Sequence, residues 1–124
     1  SHHMGMPVFE DVGSCMLTVV NRAYCKKLII LQGGQLHPEM HHERKEETFH
    51  VLAGRVQLRV DGSRTVLVPG ESVTILPGQK HEFWADEDSV IEEISSTSES
   101  SDSFYTDPSI NLNQNRKTFV RFWS

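Results

Sequence analysis

Apolar residues recur at every second position along this chain far more often than at helical spacing. "CMLTVV" (15–20) and "CKKLIIL" (25–31) read as successive strands, broken by Gly33 and Gly34. "TFHVLAG" (48–54) and "RVQLRV" (55–60) alternate, the second with Val56, Leu58 and Val60 on one face. A period of two puts every other side chain on the same face, so these runs predict half-buried strands. Asp61-Gly62 is a hairpin turn signal, with "TVLV" (65–68) as its return strand. "PGESVTILPGQKHEFW" (69–84) holds a strand between two Pro-Gly turns, and the second turn delivers His81 to the start of another strand. "SVIEEISS" (89–96) and "KTFVRFW" (117–123) complete the set. The expectation is an all-β, jelly-roll-type barrel of about nine or ten short antiparallel strands.

Residues 96–116 carry neither period. A loop of that length in a compact domain is functional or mobile. Phe104, Tyr105 and Ile110 within it predict that it packs over the barrel or across a subunit boundary.

The 124 residues suit one domain. Residues 1–4, opening "SHHMGM", look like the remnant of an expression tag, which leaves a single domain at 5–124 and removes His2 and His3 from the functional count. The formal net charge is −5, with no basic run, so nucleic acid and anionic membrane are poor partners. No apolar run approaches the roughly 20 residues that span a bilayer. A cytoplasmic setting is expected, with Cys15 and Cys25 as buried thiols and no CxxC zinc knuckle.

Candidate chemistry concentrates in "MHHERKEETFHVLAG" (40–54). In a strand, Met40 and His42 share a face and His41 points the other way. Glu47 opens the next strand, and His81 arrives from far along the chain. Two histidines and a carboxylate converging inside a barrel suit a divalent ion such as Mn, Zn, Ni, Fe or Co. His50 is offset by an odd number from Glu47 and is expected to face away. His37 is expected at the mouth or without a role. Of Phe83 and Trp84, one is expected in the pocket wall and the other in the core or an interface. Of the adjacent Glu92 and Glu93, one faces in, where it is costly unless paired or near a metal.

Residues 34–54 resemble the first motif of the cupin superfamily: Glu47 and Gly54 match with its six-residue spacing, and His42 matches its second histidine. Residues 70–81 resemble the second motif through Gly70, Gly78 and His81, with the proline shifted by one to Pro77. The resemblance implies a cupin jelly roll with His42, Glu47 and His81 as metal ligands. Met40 occupies the slot of the first histidine, and a thioether is a poor ligand for hard divalent ions. Three readings follow for the fourth position. The metal is held by three ligands and water; or His41 or His37 turns in; or the site is empty.

"HPEMHHERKEETFHVLAG", "IEEISSTSESSDSFYTDP" and "RKTFVRFW" are similar to small cupins related to D-lyxose isomerase, and to cupins associated with sialic-acid-type synthases. In the isomerases the motif reads His-x-His-x-x-Lys-x-Glu, and Lys45 falls on that lysine. Glu93 falls on a late catalytic glutamate. The resemblance implies aldose–ketose isomerisation of a small sugar, with Glu93 as base and Lys45 steadying the enediolate; the sheet edges that so small a barrel leaves to be covered, together with the dimers that small cupins form, predict a homodimer. The alternative is a non-catalytic sugar-binding cupin serving a sialic-acid-type or nucleotide-sugar pathway; a cupin oxygenase ranks below both.

Overall fold

A computed structural model describes residues 15–109 and the backbone of a strand at 118–121. The expected tag remnant, residues 5–14, Ile110 and the rest of 110–117, and residues 122–124 lie outside the described residues. The strands are β1 (Cys15–Asn21), β2 (Tyr24–Leu31), β3 (Leu36–His41), β4 (Glu47–Val60), β5 (Ser63–Leu67), β6 (Ser72–Ile75), β7 (His81–Ser96), β8 (Phe104–Tyr105) and β9 (Thr118–Arg121), with one 3-10 turn at Ser100–Asp102. The all-β expectation holds, with two corrections. The strands are not all short: 48–54 and 55–60 fall in one strand of 14 residues, and 81–84 and 89–96 in one of 16. Nor are they all antiparallel, since β9 runs parallel to β1, from Cys15↔Thr118 to Thr18↔Arg121.

The two long strands organise the fold. The first half of β4 pairs with the second half of β7, from Glu47↔Ser95 to Val51↔Ile91. The second half of β4 pairs with the first half of β7, from Val56↔Ala85 to Val60↔His81. Between them the register slips three times within residues 51–56. Such bulges bend a ladder and raise its twist, so one pair of strands serves two sheet faces. β6, β2, β1 and β9 extend one half; β5, β3 and β8 extend the other. Ile29, Leu31, Phe49, Val51, Val56, Leu58 and Ile91 fill the apolar core between them. Burying a side chain of this size stabilises by about 1.5–3 kcal/mol.

Gly54 sits at the bend with φ +89°, and a Cβ there would lie 2.2 Å from Ser89 Oγ and 2.4 Å from the Asp88 carbonyl. Only glycine fits, so this motif glycine serves the bend of β4. At the β4–β5 hairpin both Asp61 (φ 48°) and Gly62 (φ 86°) are left-handed, as a two-residue hairpin turn requires.

Residues 97–106 form a strap that runs from the β1–β2 turn to β3. β8 pairs Tyr105 with Met40 and Phe104 with His41. The Thr106 N–H donates to the Glu39 carbonyl (3.0 Å) and Asn21 Nδ2 to the Ser98 carbonyl (3.1 Å). The long segment thus packs over the barrel as far as it is described. Among the described residues no helix is long and apolar enough to cross a membrane.

Candidate metal centre

One end of the interior is polar. His37, His42, Lys45, Glu47, His81 and Glu93 are each 6% exposed or less. β3 ends at His41, the chain turns, and Glu47 opens β4. Met40 and His42 are buried on the inner side. His41 points out, stacking on Phe104 with its Nε2 3.7 Å from Glu43. His81 opens β7 opposite Met40. Glu93 lies further along β7, with Phe49 and Lys27 as its cross-strand neighbours.

His42, Glu47 and His81 converge, their candidate donor atoms all within 4.8 Å of one another. Backbone carbonyls orient both rings: His81 Nδ1 is 3.0 Å from the Gln79 carbonyl, and His42 Nδ1 is 2.8 Å from that of Asp102. A carbonyl can only accept, so each Nδ1 carries the proton and each Nε2 turns inward. His81 Nε2 meets Glu47 Oε1 at 2.9 Å, and His42 Nε2 meets Glu47 Oε2 at 3.5 Å. Neither Glu47 oxygen has a well-directed hydrogen bond despite being fully buried. Lone pairs facing lone pairs need a cation between them. Burial pushes the His81 pKa down, but Glu47 outweighs it and the net shift is upward. Burial likewise raises Glu47, and His42, His81 and Lys45 outweigh it, holding its carboxyl well below the usual range. The donor set, two imidazoles and a carboxylate, fits a divalent transition-metal ion with open positions.

Lys45 links this set to Glu93. Its Nζ lies 3.3 Å from Glu47 Oε2 and 3.2 Å from Glu93 Oε2. Burial lowers its pKa, but the two carboxylates outweigh that and the net shift is upward, so Lys45 remains an ammonium. All five residues line one cavity, with Met40 and Phe49 as apolar wall.

Of the other residues weighed in the sequence, His50 faces out and pairs with Glu92, which also binds Lys26 at 2.9 Å. Glu93 is therefore the inward member of its pair. His37 is buried, stacks on Phe83 at 4.7 Å and lines the same cavity. Phe83 belongs to the core, while Trp84 lies on the other face under Arg59. Cys15 and Cys25 are free and buried.

Two residues at this end had no signal in the sequence. Lys27 reaches into the cavity and donates to Ser98 Oγ at 3.0 Å. Asp102 is buried, and its carboxylate accepts the N–H groups of Glu43 (2.9 Å), Arg44 (3.2 Å) and Lys45 (3.0 Å). A lone aspartate in a serine-rich segment marks a local turn at most; its partners lie 57 to 60 residues away.

A bent double-faced β fold with two histidines and a glutamate converging at one end of its interior defines a β-barrel protein with a candidate metal centre. The chain belongs to the cupin family: residues 27–95 match the model of the cupin domain. It is 33% identical over 135 aligned residues to a D-lyxose/D-mannose isomerase of Thermosediminibacter oceani, covering 86% of this chain and 75% of that protein. A D-lyxose ketol-isomerase of Thermofilum sp. is 32% identical, with the same coverage of each chain. Among solved structures, L-ribose isomerase of Cellulomonas parahominis superposes with a TM-score of 0.71 at 15% identity, over 79% of this chain and 64% of that one. That likeness is one of fold.

Proposed function

We propose that this cupin is a metal-dependent aldose–ketose isomerase acting on a small sugar of the D-lyxose type. The observation that carries the reading is the Lys45–Glu93 contact of 3.2 Å, buried in the same cavity as His42, Glu47 and His81. The relatives named as D-lyxose isomerases support the substrate class.

Isomerisation moves a proton from C2 to C1 and another between the two oxygens. His42, Glu47 and His81 would hold the ion, with Met40 beside them in the fourth slot. When bound, a divalent cation polarises the carbonyl and the neighbouring hydroxyl. Glu93 takes the C2 proton and returns it to C1. Lys45 places its ammonium beside the oxygen that becomes negative in the enediolate, where a preorganised charge in a buried site has its largest effect. A homodimer forms part of this proposal, and a monomeric mass by light scattering would count against it.

The test is incubation with D-lyxose or D-mannose and Co(II) or Mn(II) in D₂O. Ketose formation and deuterium at C2 of recovered aldose are expected. Glu93→Gln is expected to lower both by about 10²–10⁴-fold while sugar still binds. Sugar binding with neither turnover nor exchange in the parent chain would favour the non-catalytic sugar-binding reading, which Met40 in the ligand slot also favours.

A further inference from the structure

Asp102 lies outside the cavity lining, yet two elements of the metal centre end on it. Its backbone carbonyl takes the Nδ1 proton of His42 at 2.8 Å. Its carboxylate receives three successive backbone N–H groups: Glu43 at 2.9 Å, Arg44 at 3.2 Å to each oxygen, and Lys45 at 3.0 Å. These amides belong to the turn between β3 and β4, whose ends carry His42 and Glu47. A turn of this kind has no ladder to satisfy its N–H groups. Buried amides left without acceptors are costly. Asp102 is itself 2% exposed, and the strap holds it in place through β8 against β3.

We infer that Asp102 is a positioning residue for the metal centre. Through one carbonyl and one carboxylate it fixes the His42 tautomer and the 43–45 backbone, and so aims His42 Nε2 and the Lys45 ammonium into the cavity. The strap at 97–106 is then part of the site's construction as well as its cover. The inference rests on the metal reading above and extends it to a residue of the strap.

Outer-shell partners of metal-bound histidine hold ring and tautomer, and their removal typically weakens metal binding by about 10–100-fold. The experiment uses the full chain and two readouts. The first is the Co(II) dissociation constant. Asp102→Ala is expected to raise it about 10–100-fold. Asp102→Asn, which keeps one oxygen for the Glu43 amide but turns an NH₂ toward the Lys45 amide, is expected to fall between. Ser101→Ala, which loses only an exposed contact to the Arg44 guanidinium, is expected to match the parent. The second readout is the ¹⁵N spectrum of the His42 ring in the metal-free chain. The parent is expected to show an Nδ1–H held by the Asp102 carbonyl, and Asp102→Ala, which keeps that carbonyl but no longer ties it to the 43–45 amides, a weakened or exchange-broadened Nδ1–H signal.

A variant that lowers Tm while leaving the Co(II) affinity and the His42 pattern unchanged would overturn the inference, because it would make Asp102 a structural residue only. If Asp102→Ala does not fold, the same two readouts on Asp102→Asn decide it. A parent chain that binds no Co(II) would sink the metal reading, while the His42 spectrum would still test Asp102.

Discussion

His81 Nε2 faces Glu47 Oε1 at 2.9 Å while the Gln79 carbonyl fixes the proton on the opposite ring nitrogen. That arrangement leaves a cation-shaped requirement between a histidine and a carboxylate, both about 1% exposed at the side chain. Removing the ring should remove the ion. His81→Ala is expected to weaken Co(II) binding by more than the roughly 100-fold upper end seen for outer-shell losses, with His42→Ala behaving alike. Calorimetric titration of metal-stripped protein checks this, and near-parental affinity in either variant would break the assignment.

Lys45 places one ammonium against two buried carboxylates, at 3.3 and 3.2 Å. Removing one member of a buried ion pair typically costs about 3–5 kcal/mol, because a charge is left behind without compensation. Lys45→Met is expected to lose that much in urea unfolding of the metal-free chain and, under the proposed function, to lose aldose–ketose turnover as well. A loss below about 1 kcal/mol, the range of an exposed pair, would show that water reaches the two carboxylates.

Met40 stands opposite His81 on the ladder and lines the same cavity. Met40→His adds an imidazole where a thioether contributes little to a divalent ion. Co(II) affinity is expected to rise at least about tenfold, by analogy with the size of single outer-shell effects. An unchanged dissociation constant would put position 40 beyond coordination reach.

The Asp102 carboxyl is raised by burial, but the N–H groups of Glu43, Arg44 and Lys45 outweigh this and hold it below its ordinary 3.8. A carboxyl depressed by folding stabilises the fold above its unfolded pKa. It loses that contribution as pH falls through the folded value. The stability difference between parent and Asp102→Asn is therefore expected to be level above about pH 5 and to shrink as pH drops through the acid range. Urea unfolding at a series of pH values reads this difference, and one that grows toward low pH would contradict the cage of amides.

Much of the fold was legible because alternation is a local signal: Val56, Leu58 and Val60 fall on one face as their spacing predicts, and Asp61-Gly62 turns the hairpin. The length of β4 was hidden by the bulges within residues 51–56, which flip its alternation, and that of β7 by the exposed polar run at Asp86, Glu87 and Asp88, so each strand reads as two. The parallel partner of β1 was hidden because register between distant strands leaves no mark in either. At the site, His42, Glu47 and His81 were visible through spacing, and the structure brings them together. His41 was a possible substitute ligand until its ring proved to stack outside on Phe104. Asp102 had no period, no motif and no charged partner nearby. Its partners are main-chain amides, which every residue has, so side-chain identities carry no trace of them.

The interior that holds Phe49 and Ile91 also holds an ammonium and two carboxylates on Lys45, Glu47 and Glu93. Replacing a buried ionic cluster by apolar residues of similar volume is often neutral or stabilising by about 1–4 kcal/mol. The most thermostable version of this barrel would thus be an inert one. Laboratory evolution that rewarded heat resistance alone would erode these three positions early, and only a functional screen run alongside it would keep them.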